Sequence, residues 1–249
     1  MGGFFRDGNQ GQSTVREFRS YAIVPAAGQS RRMKQPKLLL PWNGSTVLQQ
    51  VLAAWRRSAV DQIFVVARAD DVLTHEAAAG PRTTVVRPVS DPPDMKASVL
   101  AALQQIESDC HPVDHDAWLL APADLPFLSS GVIDRLLKTH ATADPCILVP
   151  HLAGHRGHPV LLPWFLASAV PSLTPQQGIR DLLTRHRWLS VDIEPSFILH
   201  PMFGDCNGIL TDADATLAEA VWRFRCDLDT PDQYRQAILS QTRERSSRE

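Results

Sequence analysis

The chain has 249 residues, 44% hydrophobic and 21% charged, with a net charge of −2 at pH 7. That length buries one sizeable core, and the composition is ordinary for a globular protein. No basic excess is present to neutralise a nucleic-acid backbone, which argues against duplex binding.

Residues 1–19 are rich in Gly, Gln and Ser and form an expected flexible tail. Tyr21 to Val24 is a short apolar run, the pattern of a buried parallel strand. Pro25 and Gly28 break it, and a polar loop follows that carries Arg31, Arg32, Lys34 and Lys37. A buried strand feeding a small-residue loop full of cations is a way for α/β proteins to hold phosphates. Thr46 to Arg57 carries a helical stripe capped by Ser45 or Thr46, and Gln62 to Ala67 is a second buried strand. Val72 to Ala79 predicts a helix ended by Gly80-Pro81, and Thr83 to Arg87 a β-branched strand. After a Pro/Asp loop, Asp94 caps a helix over Met95 to Glu107.

Ala117 to Pro122 is a fourth buried strand, and Asp124 follows its carboxyl end, the ligand edge of an open α/β sheet. An Asx turn before Pro126 is the plainer role for Asp124. A helix over Val132 to Leu137 and a strand over Cys146 to Pro150 come next. His151, His155 and His158 are close in sequence, but no helix aligns them and glycines loosen the loop, so zinc is disfavoured. Gly178 opens a further helix, and Trp188 to Ile193 predicts a strand. Residues 194–225 contain a helix over Asp212 to Trp222, capped by Asp212 or Thr211. In the next segment Asp227 and Asp229 are two apart, which on a strand puts both on one face. Pro231 and Asp232 start the last helix, and residues 240–249 are expected to fray.

Cys110, Cys146, Cys206 and Cys226 form no CxxC pair and suit a reducing cytosol. No apolar run approaches a membrane span, and the first twenty residues lack a signal-peptide core. The expected location is the cytoplasm, with one domain over residues 20–239.

The phosphate loop contains neither GxxxxGK[ST] nor GxGxxG, which excludes the P-loop and the dinucleotide fingerprint. It resembles instead the signature of MobA-like nucleotidyltransferases, small-A-A-G-x-S-x-R-M-x-x-P-K-L-L. Ala26, Ala27, Gly28, Ser30, Arg32, Met33, Pro36, Lys37, Leu38 and Leu39 match it. Lys34 departs from it, where the family often has Gly. Later segments resemble the family in the same order: Asp94 to Val99, with Ser98 matching; Asp124-Leu125-Pro126; Gly154 to Pro159; Gln177 to Leu183; and Asp227 to Pro231. Residues 194–225 interrupt the family pattern.

The resemblance implies a Rossmann-like three-layer α/β/α sandwich of the nucleotide-diphospho-sugar transferase type, with a mostly parallel sheet. It implies a nucleotide site formed by Ala26, Ala27, Gly28, Ser30, Arg32, Lys37 and Ser98, with Arg32, Lys37 and Asp124 catalytic. Magnesium would be held by Asp124 and Asp229, with Asp227 as the alternative. Arg156, His158 and Arg180 would face the acceptor. The reaction implied is transfer of a nucleotidyl group from an NTP to a phosphorylated small molecule. The Ala26-Ala27-Gly28 loop resembles the molybdenum-cofactor cytidylyltransferases, which favours CTP over GTP and molybdopterin as acceptor. A molybdoenzyme would then receive the product. The alternatives are a sugar- or polyol-phosphate nucleotidyltransferase, or a non-catalytic nucleotide-binding maturation factor.

Overall fold

A computed structural model describes residues 18–199 and 213–246 of the chain. Strand β1 (Ser20–Pro25) leads into the polar loop, which ends in a short 3-10 turn at Lys37–Leu39. A hairpin follows, β2 (Pro41–Trp42) and β3 (Ser45–Thr46), an addition to the expected elements. It turns on Asn43 and Gly44, both at positive φ, the conformation that an Asn-Gly pair supplies. Helix α1 (Val47–Arg57) starts with a capping box, in which the Gln49 amide donates to Thr46 Oγ1 at 3.2 Å and the Thr46 amide to Gln49 Oε1 at 3.1 Å.

Alternation of strand and helix continues through β4 (Gln62–Val66), α2 (Val72–Ala78), β5 (Thr83–Val86) and α3 (Met95–Cys110). It goes on through β6 (Ala117–Leu120), α4 (Ser130–His140) and β7 (Ile147–Leu152). There β7 turns back at Ala153 and Gly154 into β8 (His155–Arg156), and β9 (Val160–Pro163) follows. Short α5 (Leu182–Arg185) and β10 (Trp188–Asp192) precede α6 (Ser196–Leu199), α7 (Ala213–Arg225) and α8 (Pro231–Ser246).

The main sheet runs β10-β7-β9-β6-β1-β4-β5, with β8 beside β7. β1 pairs in parallel with β4 and β6, as β4 does with β5 and β10 with β7. β9 is antiparallel to both β6 and β7, so the sheet is mixed but mostly parallel. Strand alternation builds two cores. Ala22, Val24, Ile63 and Val65 pack with α1 and α4 on one face, while Tyr21, Ile23, Phe64 and Val66 pack with α3 on the other. That is the expected three-layer arrangement. Among the described residues no helix is long and apolar enough to cross a membrane.

Three expectations are corrected. Phe18 is buried against His140, and Arg19 donates to Asp116 and to the last carbonyls of α3, so the ordered fold begins inside the expected tail. At the other end α8 runs through Ser246, and Ser240 accepts from Arg223 at 2.9 Å. Third, Cys226 to Asp229 is not a strand. Only the Leu228 amide reaches the sheet side, donating to Asp124 O at 3.2 Å. The chain then turns at once into α8, because Thr230 and Gln233 form a capping box. The candidate caps of α7, Thr211 and Asp212, and Cys206 lie outside the described residues.

A third, smaller core fixes this last segment. Trp42 and Val47 pack with Phe127, Cys226, Leu228 and Ala237, and the Tyr234 hydroxyl donates to Pro41 O at 2.7 Å. The hairpin after the phosphate loop is thereby locked to the stretch carrying Asp227 and Asp229. Leu228→Ala, which empties a fully buried site between those aspartates, is expected to cost about 3 kcal/mol. A urea-unfolding midpoint measured beside the parent chain checks it.

Candidate active site

The polar loop is built from β1 outward. The Ala26 amide donates to Val66 O at 2.8 Å, which continues the sheet for one more residue. The next two amides, of Ala27 and Gly28, donate to no acceptor among the described residues and line a cavity of about 690 Å³. Adjacent free amides at the end of a strand form an anion cradle. A Cβ on Gly28 would meet no atom within 4 Å, so this position leaves room for a ligand rather than relieving a clash.

Ser30 organises the loop. Its carbonyl accepts from the Met33 and Lys34 amides, and its hydroxyl from the Lys37 amide at 3.2 Å. Met33 is buried and pins the loop to the body. Lys34 adopts φ 55°, a left-handed conformation that glycine enters without cost. That accounts for the usual glycine at the position where this chain departs from the loop signature.

At the centre the Lys37 ammonium lies between two carboxylates, 2.5 Å from Asp124 Oδ2 and 2.8 Å from Asp229 Oδ1. Arg32 reaches the other oxygen of Asp229, also at 2.8 Å, from an exposed position. Burial alone would depress the Lys37 pKa; the carboxylates of Asp124 and Asp229 outweigh it and hold the ammonium above its usual range. The hydrogen bond from Lys37 in turn holds Asp229 below the usual carboxylate range. Asp227 behaves oppositely: burial, then repulsion from Asp229 and Asp124, raises its carboxyl. Its Oδ1 accepts from Gln233 Nε2 at 3.2 Å, turned away from Lys37. Burial, then the Asp227 and Asp124 carboxylates, push the neighbouring Cys226 thiol up to about 12, which leaves it inert as a nucleophile.

Two cavities meet at this centre. The larger one, beside the loop, is bordered by Ser98 and by Asp94 and Met95 at the start of α3. Asp94 caps α3 as expected, accepting from the Ala97 amide at 2.8 Å, and the buried Ser98 hydroxyl donates to Asp94 O at 3.3 Å. Arg68, just past β4, also borders this cavity. Its position after a buried parallel strand was the available signal, since strand ends mark the ligand edge. A second cavity of about 350 Å³ shares Met95, Pro122, Asp124 and Asp229 with the first, and adds Arg156, His158, Phe224, Arg225 and Asp227.

Arg156 stacks its guanidinium on Trp188, 4.4 Å from the ring centroid. His158 borders the cavity with an exposed side chain, and its Nδ1 lies 3.4 Å from Leu120 O. The expected acceptor residue Arg180 is not brought here. It is exposed on the turn Ile179–Asp181 and borders neither cavity. That turn is fastened by Asp181 accepting from the Gly178 amide at 2.7 Å.

A mostly parallel sheet with a cation-rich loop and an aspartate pair at its carboxyl edge marks an α/β protein of the nucleotide-diphospho-sugar transferase fold. The chain belongs to the MobA-like NTP transferase domain family, whose model matches residues 22–190. It is 32% identical over 130 residues to a bifunctional protein GlmU of Kineococcus radiotolerans, covering 51% of this chain and 26% of that protein. It is 30% identical over 115 residues to a molybdenum cofactor guanylyltransferase of Xanthomonas euvesicatoria, covering 46% and 52%. The matches thus span about a quarter and about half of these curated relatives. Among solved structures, the manganese complex of Rv0371C from Mycobacterium tuberculosis H37Rv superposes with a TM-score of 0.60 at 24% identity, covering 88% of this chain and 97% of that one.

The ion pair makes a pH prediction. The lowered Asp229 pKa contributes stability that is present at neutral pH and lost as pH falls through that lowered value. The raised Lys37 pKa contributes stability that is lost only as pH rises through that raised value. The destabilisation by Lys37→Met should therefore be flat from about pH 6 to 9 and shrink below about pH 4. Urea midpoints of both proteins across that range test it.

Proposed function

We propose that this chain transfers CMP from CTP to the phosphate of a small-molecule acceptor, molybdopterin in our reading, and releases pyrophosphate. The observation that carries the proposal is the Lys37 ammonium held by Asp124 and Asp229 on the wall shared by two cavities. One cavity suits a triphosphate, the other its acceptor. An oxygen of the acceptor phosphate bonds to the α-phosphorus as the bond to the bridging oxygen breaks, and the electron pair leaves with pyrophosphate. The nucleophile is already an anion at neutral pH, so no general base is required. Alignment and charge neutralisation are what the protein must supply.

The Ala27 and Gly28 amides cradle the triphosphate, and Arg32 and Lys37 neutralise charge on the phosphorus and the leaving group. Ser30 acts through the loop it ties together, and Ser98 borders the nucleotide side. His158 borders and shapes the acceptor side, while Arg156 offers it a cation.

A divalent metal fits this donor set. Asp124 Oδ1 is buried without a hydrogen-bond partner among the described residues, and Asp124 and Asp229 present hard oxygens to the shared wall. Among the described residues no group of three His, Cys, Asp or Glu side chains is arranged to hold a metal alone. Two carboxylates suit magnesium, which keeps water and phosphate among its ligands. Magnesium held by Asp124 and Asp229 would supply charge neutralisation at the phosphate oxygens. Asp227, engaged by Gln233, is the weaker candidate. The manganese in a complex of the same fold accords with a divalent ion.

The base assignment rests on the Ala26-Ala27-Gly28 loop. GMP transfer is the second reading, favoured by the guanylyltransferase relative. A molybdoenzyme is the proposed recipient of the product. Pyrophosphate release with molybdopterin should be faster with CTP than with GTP. Asp124→Asn and Lys37→Ala should each lower kcat/KM about a hundredfold, and Asp227→Asn much less. A preference for GTP overturns the base assignment, and no release with any NTP overturns the reaction.

A further inference from the structure

The stretch that interrupts the family pattern ends at the second cavity. Phe224 and Arg225 close α7, and both border that cavity. Phe224 is buried, and its ring lies directly over Gly157, where an added Cβ would stand only 2.2 Å from Cζ. The close of α7 and the Arg156-Gly157-His158 turn therefore form one packed unit, and Gly157 is the residue that permits the approach. Arg225 is exposed to the cavity and makes no hydrogen bond or ion pair with a described residue. Arg156 borders the same cavity, is stacked on Trp188 and likewise makes no ion pair with a described residue.

Two unpaired guanidiniums bordering one small cavity, on a protein with net charge −2, are placed for an anion. Asp124, Asp227 and Asp229 also border the cavity and would repel a ligand that lacked a cation to meet it. We infer that Arg225, supplied by the insert, joins Arg156 as an anion clamp for a phosphomonoester, with Phe224 as an aromatic wall for the ligand's flat or apolar portion. This makes the close of α7 the acceptor-selecting element. It rests on the transferase reading above and deepens it.

The probe is phenyl phosphate, titrated by calorimetry into the full chain loaded with magnesium and α,β-methylene CTP. The analogue fills the nucleotide side and cannot react. Saturable binding is expected, weakened about tenfold by Arg225→Gln and largely restored in Arg225→Lys. The affinity for the CTP analogue should be the same in all three proteins, which also shows that the variants fold. If phenyl phosphate fails to bind, or binds equally to Arg225→Gln, the clamp is wrong. If the CTP analogue itself fails to bind the parent chain, the nucleotide reading is at fault instead.

Discussion

Three acidic side chains gather at the carboxyl edge of this sheet, and the Lys37 ammonium bridges two of them. Asp124 and Asp229 both lie in direct contact with it. An ammonium has three donors and no acceptor, so it can join two carboxylates and keep a donor for a third partner. The bonds also tie together residues 87 and 192 positions apart. The loop after β1, the turn after β6 and the segment before α8 are thus held at one point by charge, and the third core of Trp42, Phe127 and Leu228 packs behind it. Asp227 makes no ion pair with Lys37, and burial, then repulsion from Asp229 and Asp124, raises its carboxyl.

Two kinds of sequence signal carried the fold. Short apolar runs gave β1, β4, β5, β6 and β7, since parallel strands buried on both faces leave continuous hydrophobic stretches. Periodic stripes and caps gave α1 and α3. The β2–β3 hairpin was legible in Asn43-Gly44, but its strands are too short to show alternation. β9 was hidden for a different reason. Its apolar residues follow a glycine- and histidine-rich turn, and nothing local says that the chain inserts antiparallel between β6 and β7.

The site was legible where loop chemistry is local and obscure where it depends on tertiary approach. The loop motif picked out Lys37 and Arg32, and the strand-end rule picked out Asp124. Asp229 was anticipated as a strand residue, yet it is placed by the capping of α8 and by Leu228 packing. Arg180 illustrates the converse. A matching string predicted a site role, but the Asp181 cap fixes its turn away from both cavities. Phe224 and Arg225 had no motif to announce them, because the stretch they end has no counterpart in the family pattern.

The central claim is that Lys37 already neutralises the aspartate pair and that nucleotide phosphate is needed to complete a metal site. Titrating manganese into the protein and following the free ion by electron paramagnetic resonance tests this directly. The account predicts little uptake by the protein alone and about one ion retained per chain once CTP is added, since such ions favour one or two carboxylates plus phosphate and water. Tight manganese binding that is indifferent to CTP would contradict it.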